Sequence, residues 1–167
     1  MKALNIHRRL FRLMFVTTIL FFFVNFSFAQ VTVTLTATQS LNFGVICLTG
    51  SAGTVTVASD GSRTSTGDLI LLSITPVAQP AILEIEYCPG GSVSLTFDAT
   101  TILTNSNGGE LTLDLGPTEK GISGTVFTTV SDCNIITPVN MGGTLHIPAT
   151  APSGTYTGSF AVTINLQ

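Results

Sequence analysis

The chain has no tryptophan, two tyrosines and three cysteines among its 167 residues. Basic residues are scarcer still where they matter. Of six Lys and Arg, Lys2, Arg8, Arg9 and Arg12 lie in the first 29 residues, which leaves Arg63 and Lys120. All nine acids lie later, so residues 30–167 carry two minus nine, a net charge of −7. Nucleic acid is held by Lys and Arg set against phosphates, so no nucleic-acid partner is expected. The same balance excludes electrostatic attachment to an anionic membrane surface. One histidine, His146, follows residue 29. A metal site needs several ligands and catalysis needs a partner set, so no metal, cofactor or enzymatic activity is expected. Gly-x-Ser-x-Gly elbows, Cys–His pairs and phosphate loops are also missing from the sequence.

The first 29 residues read as an export signal. The four basic residues form the n-region, Leu13–Val24 is almost wholly apolar, and Ser27-Phe28-Ala29 sets small residues at −3 and −1 of a cleavage site. The apolar run is shorter than the ~20 residues of a spanning helix. Cleavage would leave Gln30 as the new N-terminus, with no membrane span afterwards and a destination in the periplasm, at the cell surface or outside the cell. Residues 30–167 suit one domain.

That domain is rich in Thr, Val, Ile, Leu and Gly, and no segment keeps an apolar period of 3.6. Val31, Val33, Leu35 and Ala37 alternate with threonines at 32, 34, 36 and 38, the pattern of an amphipathic strand. Leu41–Ile46 reads as a short strand bent at Gly44, and Gly53–Ala58 as another. Ser59–Gly67 is a polar turn and Asp68–Ile74 an apolar run. Ala81–Tyr87 and Ser92–Phe97 flank Cys88-Pro-Gly-Gly91 and read as a β-hairpin. From Thr155 to Gln167 one long strand is expected, with Tyr156, Phe160, Val162, Ile164 and Leu166 on one face and no anchor or sorting tail after it. Nine or ten strands with turns between them imply an all-β, immunoglobulin-like sandwich of two sheets.

Leu41-Asn-Phe-Gly44, Gly53-Thr-Val-Thr-Val57 with the Ser-Asp-Gly-Ser-Arg segment after it, and Gly142–Leu166 together resemble the DUF4402 family of secreted bacterial β-domains. The resemblance covers Leu41–Leu166 and implies no biochemical activity. The two ends are also similar, more faintly, to the spore coat protein U and archaic chaperone–usher pilins. That group implies immunoglobulin-like subunits that polymerise by lending an N-terminal strand to a neighbour. The chain has extra material between Thr54 and Gln79 and lacks that group's early cysteine before LNFG.

Few residues offer chemistry. His146 shares parity with Thr144 and should lie on the outer face of its strand. Glu84 and Glu86 fit a solvated face, and their charge on an edge strand would resist unwanted pairing. Asn105–Glu110 is oxygen-rich, yet it lacks EF-hand spacing and reads as an Asn-Gly turn. Three cysteines in an oxidising compartment leave one over. A Cys47–Cys88 bridge is the preferred pairing, with Cys133 free or joined to another chain; the alternative is that all three are incidental.

The sequence therefore points to a structural or adhesive surface subunit whose partners are copies of itself or other surface subunits. Val31, Val33, Leu35 and Ala37 are the candidate donor-strand residues, docking into a neighbour by β-strand addition or, as preferred, pairing within their own sandwich. The alternative function is a carbohydrate-binding module of the envelope, for which Tyr87 and Tyr156, both of inward parity, supply no exposed aromatic platform.

Overall fold

Alternating Thr and β-branched residues dictate strands. The computed structural model, which describes residues 31–167, contains eleven of them: β1 (Thr32–Gln39), β2 (Val45–Val57), β3 (Arg63–Leu72), β4 (Ala81–Cys88), β5 (Ser92–Phe97), β6 (Thr100–Asn105), β7 (Glu110–Thr118), β8 (Val126–Thr128), β9 (Thr137–Ile147), β10 (Tyr156–Thr157) and β11 (Val162–Leu166). There is no helix among the described residues. The expected export signal lies outside them.

The larger sheet runs β1-β4-β9-β7-β6-β10, with β2 also on β9 and β3 on β2; the smaller runs β11-β5-β8. All pairs are antiparallel. This is an all-β sandwich. Its core lies between the sheets, where Val55, Val57, Leu83, Ile85, Leu113, Val139, Met141 and Leu145 meet Val93 and Leu95 of the small sheet.

The strand β9 organises the large sheet. Along one edge its residues 137–141 pair with β4, then residues 143–147 pair with β2. Along its other edge lies β7. The change of partner falls at Gly142, where a Cβ would stand 2.3 Å from the Val57 carbonyl oxygen. The Gly142-Gly143 pair in the sequence is thus the place where two strands converge on a third.

The β2–β3 hairpin folds back on itself. In a straight strand, Arg63 and Leu72 would lie about 30 Å apart at ~3.3 Å per residue. Instead the Arg63 guanidinium donates to the Leu72 carbonyl at 3.2 Å and to the Val45 carbonyl at 2.9 Å. The ladder breaks between Leu48↔Leu69 and Gly53↔Gly67, so Thr49–Ala52 oppose Asp68 alone. Beyond this bend Ile46, Leu48, Leu69 and Leu71 turn back onto the core. Gly53 and Gly67 permit it: a Cβ on Gly67, whose φ is +75°, would lie 2.3 Å from the Ala52 carbonyl oxygen.

Several expectations from the sequence are corrected here. The segment 81–97 is no hairpin: β4 belongs to the large sheet and β5 to the small one, so Cys88–Gly91 crosses between layers. The expected final strand is two. Tyr156–Thr157 pairs with β6, and Val162–Leu166 pairs with β5 in the other sheet. The chain changes layers near Gly158, where a Cβ would meet Leu103 Cδ2 at 2.6 Å. Consequently β11 is no neighbour of the N-terminal strand, which pairs with β4. Leu41–Gly44 is a turn held by an Asn42 side chain accepting from the Gly44 N–H at 2.7 Å, with Phe43 buried beneath it. The polar turn shrinks to residues 58–62, and Arg63–Gly67 join β3.

Candidate functional site

Three regions carry the sequence-predicted residues: the β1 edge, the cysteines, and the outer face around His146.

At the sheet edge, β1 pairs with β4 from Thr32↔Cys88 to Gln39↔Ile82, with one irregularity between Ala37 and Gln39. Val33 and Leu35 are half-buried against the core, while Val31 and Ala37 are exposed. The candidate donor strand thus lies in its own sandwich. Thr32, Thr34 and Thr36 face outward beside Glu86 and Glu84, and Thr34 Oγ1 approaches Glu86 Oε2 at 3.5 Å. Both glutamates are on the solvent side as expected. Their strand is flanked by β1 and β9, so they do not guard an edge.

The disulfide joins Cys88 to Cys133, with Cα atoms 4.7 Å apart, and Cys47 is free and exposed. The preferred Cys47–Cys88 pairing is therefore wrong. Ile46 and Leu48 point inward on the folded arm, which turns Cys47 out, opposite exposed Ile70. Parity within Val45–Leu48 was the signal that could have found this. Cys133 lies in the loop beside the crossover, where a Cβ on Gly90 would stand 2.6 Å from Ser131 Cα.

The oxygens of the Asn105–Gly109 turn serve the fold. Asn105 Oδ1 accepts from the Asn107 N–H, and the Asn105 N–H donates to the Gly109 carbonyl at 3.0 Å. Asn107 Nδ2 donates to the Ser153 carbonyl at 3.0 Å, and the Tyr156 hydroxyl to the Pro152 carbonyl at 2.7 Å. The Pro-Ser-Gly-Thr-Tyr motif is a clasp over this turn. Tyr87 and Tyr156 both pack partly against the core. Among the described residues, no group of three or more His, Cys, Asp or Glu is placed to hold a metal ion.

On the outer face, register aligns a row of side chains across four strands. Thr66 of β3 stands opposite Thr54 of β2, Thr54 opposite His146 of β9, and His146 opposite Thr112 of β7. The next row sets Thr56 beside Thr144, their hydroxyls 2.9 Å apart, and Thr144 opposite Asp114. His146 Nε2 lies 2.7 Å from Asp114 Oδ2, each side chain about half exposed. His146 is a surface histidine, as its parity implied. Its carboxylate partner escaped sequence reasoning because 32 residues separate the two and only the β7–β9 register unites them. A groove of about 530 Å³ opens here, lined by Thr54, Thr66, Thr112 and His146, with Glu110 and Pro148 at its end.

The architecture, a two-sheet antiparallel sandwich with a curled larger sheet, defines an all-β domain. Its sequence places it further: the family model of DUF4402, a domain of unknown function, matches residues 33–166, and the chain belongs to that family. No curated protein matches the chain. No helix among the described residues is long and apolar enough to cross a membrane.

Proposed function

We propose that this chain is exported, loses residues 1–29, and acts as a non-enzymatic structural or adhesive subunit of the cell surface that assembles by exchanging β1 between copies. The observation that carries the reading is the position of β1. It is the outermost strand on its side of the large sheet, pairs with β4 alone, and its inward side chains are only half-buried. The β4 edge already receives this strand in register, so β1 of a second copy would form the same ladder there. Exchange changes connectivity while conserving the contacts, which is what makes strand swapping a low-cost route to assembly. Ser40 and Leu41 would be the hinge, since the chain is next fixed by the paired Asn42–Gln79 hydrogen bonds of 2.9 and 2.8 Å. The fainter pilin resemblance supports the same mechanism. The Cys88–Cys133 bridge suits an oxidising compartment. The non-enzymatic part is supported by the setting of His146 and Asp114: they form a half-exposed pair on an open sheet face, and His146 is the one histidine after residue 29.

Thr34 and Glu86 are register partners across the β1–β4 ladder. In a Cys47→Ser background, chains carrying only Thr34→Cys are co-produced with chains carrying only Glu86→Cys. Exchange predicts disulfide-linked dimers between the two, and a ladder of larger species from the double variant, on non-reducing gels. Monomer alone in both cases would sink the assembly reading.

A further inference from the structure

We propose that the outer-face groove over β2, β9 and β7 is a binding site for an uncharged, hydroxyl-rich glycan. Thr66, Thr54, His146 and Thr112 form its floor in one register row. At the centre of the groove β2, β9 and β7 are each paired on both sides, so the floor there presents side chains; the unpaired outer edge of β3 lies at its rim. A peptide adding as a strand would therefore pair along the β3 rim and not lie over this floor. The groove, about 530 Å³, is shallow and open along the sheet face, so it suits an extended ligand lying on the surface and not one enclosed in a cavity.

The chemistry of the lining selects the ligand. The Thr54 and Thr66 hydroxyls share one hydrogen bond of 2.7 Å, which uses one of their two donors and leaves one donor between them and acceptor capacity on both. Asp114 engages His146 Nε2 and so fixes the ring, leaving the other ring nitrogen for a ligand. Glu110 is exposed and, among the described residues, takes part in no ion pair; its carboxylate only accepts hydrogen bonds. No lysine or arginine lines the groove. The lining carries an acidic side chain and no basic one other than His146, so phosphate, sulfate and carboxylate ligands are disfavoured, while a polyol donates to Glu110 and both donates to and accepts from the threonine hydroxyls. With no Phe, Tyr or Trp in the lining, recognition rests on these hydrogen bonds. The site is independent of β1 exchange. It uses the half of β9 that pairs with β2, while β1 joins the sheet through β4, on the other half.

The test titrates the full chain, purified from producing cells, with cellohexaose, maltohexaose and hexa-N-acetylchitohexaose by calorimetry at about 0.15 M salt, where charges are screened beyond about 8 Å. Heparin and chitosan hexamers serve as the anionic and cationic probes. Saturable binding of at least one neutral probe is expected, weakened about tenfold or more by Glu110→Gln or by Thr112→Ala with His146→Ala. Thermal unfolding of each variant checks that the fold persists. Absence of binding by all three neutral probes, binding unchanged in the variants, or preference for heparin would overturn the proposal. So would binding confined to chitosan and abolished by salt, which would mean charge attraction alone.

Discussion

Two Thr/Val ribbons in this molecule look alike in sequence and differ in depth. Val31–Thr38 in and before β1 reads VTVTLTAT, and Gly53–Val57 in β2 reads GTVTV. In β2 the inward valines, Val55 and Val57, are 0% exposed. In β1 the inward Val33 and Leu35 are only half-buried. Each strand sends the same kinds of side chain toward the same core, so composition cannot be the cause. The cause is the number of neighbours. Residues 53–57 have β3 on one side and β9 on the other, whereas β1 has β4 alone. Alternation in a sequence reports which face is apolar; the sheet partners decide how far that face is shielded.

Alanine substitution sharpens this difference most. Val55→Ala removes two fully buried methyl groups and leaves a cavity between paired strands, so it should cost about 2–3 kcal/mol. Val33→Ala at the edge should cost less than about 1 kcal/mol, because water already reaches much of the side chain. Urea midpoints at unchanged m-value give both numbers. Equal losses would mean that β1 is as integral as β2, which would weaken the case for its exchange.

The same contrast explains what the sequence disclosed. Faces were legible: the sequence placed Glu84, Glu86 and His146 on the solvent side of their strands, and the structure agrees. Partners were not. Cys88-Pro-Gly-Gly91 has the composition of a hairpin turn whether it joins two paired strands or crosses between sheets, and here it crosses. Parity from Tyr156 to Leu166 continues through Gly158 although the chain leaves one sheet for the other there, since both segments face the shared core. The bend in β2–β3 was hidden for a similar reason. In the sequence Gly53 opens one expected strand and Gly67 closes a polar turn, and only the ladder shows the two paired with each other inside one hairpin.

Blocking that bend should give the next largest effect. Gly67→Ala forces a Cβ at positive φ toward the Ala52 carbonyl oxygen, at a cost of about 2 kcal/mol. The loss should be local as well as global. Amides of Val45–Leu48 and Leu69–Leu72 should exchange faster, while those of β7 and β9 keep the order they have in the parent chain, as measured by hydrogen exchange. An equivalent substitution has no counterpart in the β1–β4 ladder, which contains no glycine in either strand. If Gly67→Ala left the arm's protection unchanged, the bend would not depend on these glycines.

The smallest effect concerns the charge that holds the bulge. Asp68 Oδ2 accepts from the Ser51 N–H at 2.8 Å, and the Thr49 hydroxyl donates to the Asp68 carbonyl at 3.0 Å. Hydrogen bonding from the Ser51 backbone, then from its side chain, holds the Asp68 carboxyl below the ordinary 3.8. A carboxyl whose folded value is depressed stabilises the fold above its unfolded value, and that contribution disappears as pH falls through the folded value. The window is therefore acidic, below pH 3.8, and the bulge is insensitive to pH near neutrality. Following the Ser51 amide by NMR as pH is lowered should give a midpoint under 3.8 in the parent chain and no titration in Asp68→Asn, whose side-chain carbonyl still accepts. The β1–β4 ladder has no such clasp: Thr34 Oγ1 meets Glu86 Oε2 only at 3.5 Å. A Ser51 midpoint at or above 3.8 would mean that the carboxylate does not clasp the bulge in solution, and that the glycines alone shape the bend.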